Sequence, residues 1–128
     1  MKSRWTWAEP LEPDRDYLVL ASDISPRSRR STGRLFRGAS ATRRQLATTD
    51  GLVGFSLLAR PVLKQYATIS IWADEDALAA FAESPPHGEL MRRLGPETDA
   101  SVFVRWTITG RDGRPSWNEA LQRLRAAA

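Results

Sequence analysis

The sequence of this 128-residue chain predicts a single α+β domain. Four stretches rich in β-branched and aromatic residues predict strands, and stretches with apolar residues at helical spacing lie between and after them. The hydrophobic share of 41% and the charged share of 27% are ordinary for a globular protein. Since this length suffices for one core and is too short for two, we expect one domain.

The strands are expected where β-forming residues cluster between turn signals. "YLVLASDI" ends at a Ser-Pro pair, and "LVGFSLLARP" follows an Asp-Gly pair that stops the preceding helix. The predicted strands are residues 17–24, 52–61, 66–72 and 100–110. The link between the second and third is short enough for a hairpin.

Two of the expected helices lie between strands. Residues 28–51 carry apolar positions at helical spacing with arginines on the other face, although two internal glycines weaken the start. Asp74 is the expected N-cap of the second helix, whose first turn is acidic. Pro85 and Pro86 must end that helix, because proline lacks a backbone N–H donor and clashes with the preceding turn.

A last helix is expected over residues 116–125, with Ser116 as N-cap and Glu119 at the capping-box position. We divide the chain into an N-terminal extension, 1–16, a central domain, 17–110, and a C-terminal helical tail, 111–128. The order β-α-β-β-α-β followed by a helix is the ferredoxin-like arrangement.

Both faces of the expected sheet are largely apolar. The ferredoxin-like arrangement covers one face with helices and leaves the other bare. Apolar residues alternate on both sides of the second strand: Val53, Phe55 and Leu57 against Leu52, Ser56 and Leu58. Because a bare apolar face favours self-association, we expect a homodimer formed through it.

Two stretches, "GLVGFSLLA" and "TISIWADEDALAAFAESPPH", resemble the dimeric α/β-barrel proteins of the antibiotic biosynthesis monooxygenase superfamily. The likeness covers about residues 17–110, and its most specific part is the pattern W-x-[DE]-x-x-A-L followed by Phe and a Ser-Pro-Pro-His turn, within residues 68–91. The resemblance implies a dimeric α/β barrel of ferredoxin-like subunits. It also implies a function among cofactor-independent oxygenases, haem-binding and haem-degrading enzymes, polyketide cyclases and isomerases.

The haem-degrading members of that superfamily use an asparagine, a tryptophan and a histidine around the haem. On this sequence the asparagine position corresponds to Ser22 and the tryptophan position to Phe81. The iron-ligand position corresponds to Met91, with His87 one turn earlier. Two positions are changed and the third is shifted. The resemblance therefore implies no haem degradation by that route and leaves haem binding through His87 open.

His87 is the single histidine of the chain, and it follows the double proline. An imidazole has an ordinary pKa of about 6.5, which suits proton transfer at neutral pH. His87 is therefore predicted as a general acid/base or, with haem bound, as the iron ligand. The alternative is a surface histidine that only follows a helix break.

Several other residues are candidates for an apolar ligand pocket, which needs an apolar wall and a few polar anchors. Arg105 lies in mid-strand among apolar neighbours, and if buried it requires a partner: a substrate carboxylate, a haem propionate or an internal acid. The alternative is that its side chain reaches the rim of the dimer. Ser22 and Tyr66 are candidate proton donors. The candidate wall residues, for which a core role is the alternative, are Phe55, Trp72, Phe81, Met91, Phe103 and Trp106. Trp72 is the strongest of these, since it ends a strand beside the histidine turn.

The net charge of +4 is unevenly distributed. Residues 24–49 contain seven arginines and no acid, so the rest of the chain carries −3. Proteins that bind single-stranded nucleic acid interleave such arginines with aromatic residues, and this segment has only Phe36. A solvated helix face explains the segment better than a nucleic-acid interface, although the arginines of residues 27–44 would also attract an anionic substrate.

Other classes of function are excluded by missing residue patterns. The chain has no cysteine, one histidine and no glycine-rich phosphate loop, which argues against zinc sites, thiol chemistry and nucleotide cofactors. No apolar run approaches the length of a membrane span, and no secretory leader is visible, so we expect a cytoplasmic protein. The sequence thus predicts a monooxygenase-like enzyme for an apolar or aromatic small molecule bound between helices and sheet, with no cofactor or with haem. The alternatives are a non-catalytic haem- or ligand-binding protein, a cyclase or isomerase, and an interaction module that uses the basic helix.

Overall fold

The computed structural model describes residues 5–26, 50–60, 65–83 and 98–127. These residues form one five-stranded sheet and two α-helices. The strands are β1 (Thr6–Trp7), β2 (Asp16–Pro26), β3 (Leu52–Arg60), β4 (Gln65–Trp72) and β5 (Thr98–Thr109). The helices are α1 (Glu75–Glu83) and α2 (Trp117–Ala127), and a 3₁₀ turn, Gly110–Asp112, joins β5 to the segment before α2.

The strands lie in the order β1-β3-β4-β2-β5, and every neighbouring pair is antiparallel. Apart from the two-residue β1, the order β3-β4-β2-β5 is that of a ferredoxin-like sheet. The predicted α+β, ferredoxin-like fold class is therefore confirmed. The first predicted helix, residues 28–51, falls almost entirely outside the described residues.

The predicted element boundaries are confirmed to within two residues at each described end. Asp74 Oδ1 accepts a hydrogen bond from the Ala77 backbone N–H over 2.8 Å, which caps α1 as predicted. Ser116 Oγ does the same for the Glu119 N–H over 3.1 Å at the start of α2. Local capping chemistry therefore sets where both helices begin.

The predicted alternation of β3 is wrong at one point, because a β-bulge lies at its start. The pairing with β4 shifts between Leu52 and Gly54, so that Val53 is an extra residue. As a result, Val53 packs on the opposite face from Phe55. Gly54 is required here, since a Cβ at this position would come within 2.7 Å of the Trp7 ring on the neighbouring β1.

The sheet has two differently covered faces. The α1 face packs against α1 and comprises Leu18, Leu20, Leu52, Phe55, Leu57 and Trp72, which contact Leu78 and Phe81 of the helix. The α2 face packs against α2 and comprises Tyr17, Val19, Ala21, Val53, Leu58, Ala67, Ile69, Ile71 and Ile108, which contact Trp117, Ala120 and Leu124. Each strand contributes alternate residues to the two faces.

The expectation of a bare second sheet face is wrong. Helix α2 lies over β2 and β5, and Trp5 and Leu11 from the N-terminal segment pack against the same cluster. Val19, Ile69 and Ile71 on this face are fully buried within one chain. The two chain ends, which lie outside the β-α-β-β-α-β unit, thus supply the second cover. The homodimer remains a prediction, without the bare face on which it was based.

Neither of the two described α-helices is long and apolar enough to cross a membrane.

Candidate ligand-binding site

Three hydroxyl side chains lie together in the centre of the α1 face, and we refer to Ser22, Thr68 and Ser70 as the hydroxyl row. Ser22 on β2 and Thr68 on β4 are register partners, and their hydroxyl oxygens are 2.6 Å apart. Ser70 follows on β4, where its Oγ accepts a hydrogen bond from the Trp72 indole N–H over 2.8 Å. Both strands are interior to the sheet, so these polar groups are placed where an apolar residue would be the default.

The Ser22–Thr68 pair retains donor capacity. Each hydroxyl has one hydrogen and can also accept, and one hydrogen bond between the two uses only one of the two hydrogens. Ser22 is 6% exposed and Thr68 is half-buried, so both hydroxyls lie in a largely dehydrated environment.

An aromatic cluster borders the hydroxyl row on the side of α1. Trp72, Phe81 and Phe55 are buried together with two leucines, and the Trp72 and Phe81 ring centroids are 5.2 Å apart. Trp72 is 1% exposed and its indole N–H is satisfied by Ser70. The structure thus brings three of the predicted wall residues together, as a packed wall beside the hydroxyl row.

Arg105 is not buried, contrary to the sequence-based expectation. It lies on β5 at the edge of the described sheet, and its Nη1 is 2.8 Å from Glu75 Oε1 at the start of α1. The side chains of Arg105 and Glu75 are 55% and 75% exposed. The expected acidic partner is therefore present, as a surface ion pair between the edge strand and α1.

Trp106 cannot share a site with Phe55 and Trp72, because it points to the other side of the sheet. It packs against the α2 face, where the Arg123 guanidinium lies 4.4 Å from its ring centroid. Its indole nitrogen is buried without an acceptor among the described residues. Consecutive residues of a strand face opposite sides, so Arg105 and Trp106 were not compatible as members of one pocket.

Other predicted site residues fall outside the described part of the chain. These are His87, Met91 and the arginine-rich segment 27–44, whose proposed roles stay predictions. Tyr66 is half-buried on β4, two residues from Thr68 on the same face. Thr68 and Ser70 were not predicted as site residues. The signal for them in the sequence is a pair of polar residues at alternate positions of "TIS", within an otherwise apolar strand.

Two further observations concern metal binding and a second groove. In the ranges that the structure describes, no group of three or more His, Cys, Asp or Glu side chains is arranged to hold a metal ion. A separate open groove of about 570 Å³ lies between the N-terminal segment and Arg114, lined by Trp7, Ala8, Glu9, Pro10 and Leu11. This groove includes no residue of the hydroxyl row or of the aromatic cluster.

Comparison with sequence families identifies one match. The pattern of DUF3291, a domain of unknown function, matches residues 9–128. The match begins two residues after β1 and extends through α2. It therefore includes the four longer strands and the helix that covers the second face of the sheet. No curated protein matches the sequence significantly.

Solved structures with the same fold include three of different origin. A Fusobacterium nucleatum protein provisionally named a monooxygenase matches 79% of this chain with a TM-score of 0.68 and 7% identity. This chain spans only 46% of the length of that protein. The cofactor-independent oxygenase SnoaB of Streptomyces nogalater, as a variant, has a TM-score of 0.53 and 18% identity over 78% of this chain and 98% of its own. A dimeric ferredoxin-like protein of unknown function from a Jannaschia species has a TM-score of 0.62 and 17% identity over 70% of this chain and 97% of its own. At these identities the likeness confirms the monooxygenase-like, ferredoxin-like fold.

Proposed function

This chain belongs to the DUF3291 family, which is defined by a domain of unknown function, and we propose that it is a monooxygenase-like enzyme. Its substrate is an apolar or aromatic small molecule that lies on the α1 face, over the hydroxyl row and beside the aromatic cluster. The observation that carries the proposal is the Ser22–Thr68 hydrogen bond of 2.6 Å, which uses one of the two hydroxyl hydrogens and leaves the other for a ligand.

The described residues of this site suit binding and orientation. Serine and threonine hydroxyls donate and accept hydrogen bonds but do not ionise near neutral pH, so they do not serve as a base by themselves. Donation from the Ser22–Thr68 pair to a carbonyl or enolate oxygen would stabilise negative charge on the substrate. The aromatic wall excludes water and strengthens that interaction.

The reaction we propose needs no bound cofactor, because the substrate supplies the electrons. A CH₂ group flanked by conjugated carbonyl or aromatic groups loses a proton to give a stabilised carbanion, which reacts with O₂. The carbon ends as a carbonyl, one oxygen atom enters the product, and the other leaves as water with both hydrogens of the CH₂ group. The base in this proposal is His87, four residues after the last described residue of α1.

Haem is the alternative cofactor, and the described residues do not by themselves fit it. The hydroxyl row and the aromatic cluster offer hydroxyls and rings, and no imidazole, thiolate or thioether of the kind that holds most haem irons. Haem binding therefore depends on residues outside the described part of the chain, with His87 as the proposed ligand, and no step is derived through haem. A haemin titration followed in the Soret region, repeated with His87→Ala, tests this alternative. A saturable shift that is lost in the variant would establish haem binding in place of cofactor-free chemistry.

We also propose that the chain forms a homodimer and acts in the cytoplasm. The support for the dimer is the similarity to the dimeric ferredoxin-like protein of the Jannaschia species. The interface would lie away from the α2 face, which one chain already covers. Light scattering after size-exclusion chromatography distinguishes a dimer of about twice 14.3 kDa from a monomer.

The experiment that tests the proposed function is an oxygen-uptake screen. Purified protein is supplied with conjugated ketones that have an acidic CH₂ group, in a closed oxygen-electrode cell, and the products are identified by mass. The proposal expects enzyme-dependent uptake of one O₂ per product that has gained one oxygen and lost two hydrogens. Ser22→Ala with Thr68→Val is expected to lower the rate by about 100-fold to 1,000-fold, as for the loss of a donor to a developing negative charge. A rate unchanged in the double variant would exclude the hydroxyl row from the reaction.

A further inference from the structure

The α1 face has an exposed margin along β5, the edge strand of the described sheet. Phe103 lies opposite Ser22 and Arg105 lies opposite Leu20 in the antiparallel register of β5 with β2. Both side chains alternate with Val104 and Trp106, which pack on the α2 face, so both belong to the α1 face. Phe103 is 50% exposed, an unusual condition for a phenylalanine in the middle of a strand.

These two residues differ in chemistry and lie a short distance apart. Residues two positions apart on one strand are about 7 Å apart, roughly the length of one aromatic ring with its first substituent. Phe103 offers an apolar ring surface next to the hydroxyl row, and Arg105 offers a planar guanidinium that binds a carboxylate through two parallel hydrogen bonds. A molecule with an aromatic body and a carboxylate would engage both.

Arg105 already holds a carboxylate, that of Glu75 in the first turn of α1. The two side chains are well exposed, and exposed ion pairs contribute little to stability because water solvates the separated charges. Asp74, one residue earlier, is bound to the backbone of α1 as its cap and does not need Arg105. Glu75 can therefore yield its place on the guanidinium to a ligand carboxylate without loss of the helix start.

We infer that the ligand of this protein is an aromatic carboxylate, which enters at the β5 edge and replaces Glu75 on Arg105 while its ring lies on Phe103 and Leu20. This inference rests on the proposed ligand site on the α1 face and assigns its substrate class. Arg105 is then the residue that selects acids over neutral analogues, and Glu75 is a competitor within the chain.

Two probes of the same shape test the assignment: 2-naphthoate and the neutral 2-naphthylmethanol, titrated by fluorescence or calorimetry. The inference expects the wild-type protein to bind naphthoate more tightly than the alcohol. Arg105→Gln should weaken naphthoate binding by about tenfold, the loss of one charge-assisted contact, and leave the alcohol within about twofold. Glu75→Gln should strengthen naphthoate binding by a few-fold, because the competing carboxylate is gone.

The matched control is Arg111→Gln, since Arg111 forms an ion pair of similar length, 2.7 Å, with Asp14 elsewhere on the surface, and this pair is even more exposed. It should leave both affinities unchanged, which separates a local role of Arg105 from the general effect of one lost positive charge. If both probes bind and Arg105→Gln affects neither, the carboxylate assignment is overturned while the ligand site stands. If neither probe binds the wild-type protein, the proposed site and the inference both fail. Circular dichroism verifies that each variant is folded.

Discussion

The indole N–H of Trp117 donates a hydrogen bond to Ser56 Oγ over 3.1 Å, and both side chains are buried. This contact joins the C-terminal helix to β3 across the α2 face, 61 residues apart in sequence. Together with the packing of Ala120 and Leu124, this hydrogen bond holds α2 against the apolar sheet face that α1 does not cover. The helix is thus an integral part of the core and covers the sheet face opposite α1.

Removal of either partner of this hydrogen bond should cost stability. Trp117→Phe keeps most of the ring and loses the donor, and Ser56→Ala leaves the indole N–H without its acceptor. Each should lower the free energy of unfolding by about 1–3 kcal/mol, and a double-mutant cycle should give a coupling of about 1 kcal/mol. Urea unfolding measures all four proteins. A coupling near zero would mean that the hydrogen bond does not hold α2 to the sheet.

Displacement of α2 should expose the apolar α2 face. Ala120 is fully buried against the sheet, so Ala120→Arg places an unpaired charge there and should cost more than about 3 kcal/mol. Size-exclusion chromatography with light scattering should then show larger species than the wild type. Asn118→Arg, on the exposed side of the same helix, is the control and should elute unchanged. If both variants behave alike, α2 is not the cover of this face.

The two hydroxyls of the Ser22–Thr68 pair should be energetically coupled. Ser22→Ala or Thr68→Val alone leaves the other hydroxyl without this partner and should cost about 1–2 kcal/mol. The double variant removes both polar groups and should cost less than the sum of the two, by about 1 kcal/mol. Chemical denaturation gives the values. Strict additivity would show that the 2.6 Å contact is not formed in solution.

Gly51 should tolerate alanine poorly because its surroundings, as well as its backbone, exclude a side chain. Its φ of 85° lies in the left-handed region, and a Cβ would collide with the Ala77 Cβ of α1. Gly113 has a similar φ of 74° and no atom within 4 Å of that position. Gly113→Ala should therefore cost about 1–2 kcal/mol, the backbone term alone, and Gly51→Ala about 1–3 kcal/mol more. Thermal unfolding compares the two. Equal losses of stability in the two variants would contradict the close approach of α1 to Gly51, which directly precedes β3.

Local sequence patterns were sufficient to predict the four longer strands, the two described α-helices and their order, although the two-residue β1 was not predicted. Asp74 and Ser116 are caps because their side chains satisfy backbone donors a few residues away, and this chemistry is visible in the sequence. The alternation in β5 likewise separates Phe103 and Arg105 from Val104 and Trp106. These predictions depend only on neighbours within about one helical turn or a few strand residues.

The features that were predicted wrongly depend on contacts between distant segments. The exposure of Arg105 follows from the place of β5 at the sheet edge, which strand order determines. The cover of the α2 face follows from the docking of α2 and of Trp5 and Leu11. The bulge at Val53 lies where β3 pairs with both β4 and β1, next to Gly54 and its partner Trp7. None of these contacts leaves a periodic pattern in the sequence.

Methyl-resolved NMR of the protein during titration with 2-naphthoate, and separately with 2-naphthylmethanol, tests the location of the ligand site most directly. Leu20 and Leu57 report on the α1 face, Val19 and Ile71 on the α2 face, and Leu11 on the N-terminal groove. We expect saturable shifts for Leu20 and Leu57, with the other three unchanged. Shifts confined to Leu11 or to the α2 face, or no shifts with either compound, would contradict a ligand site on the hydroxyl row.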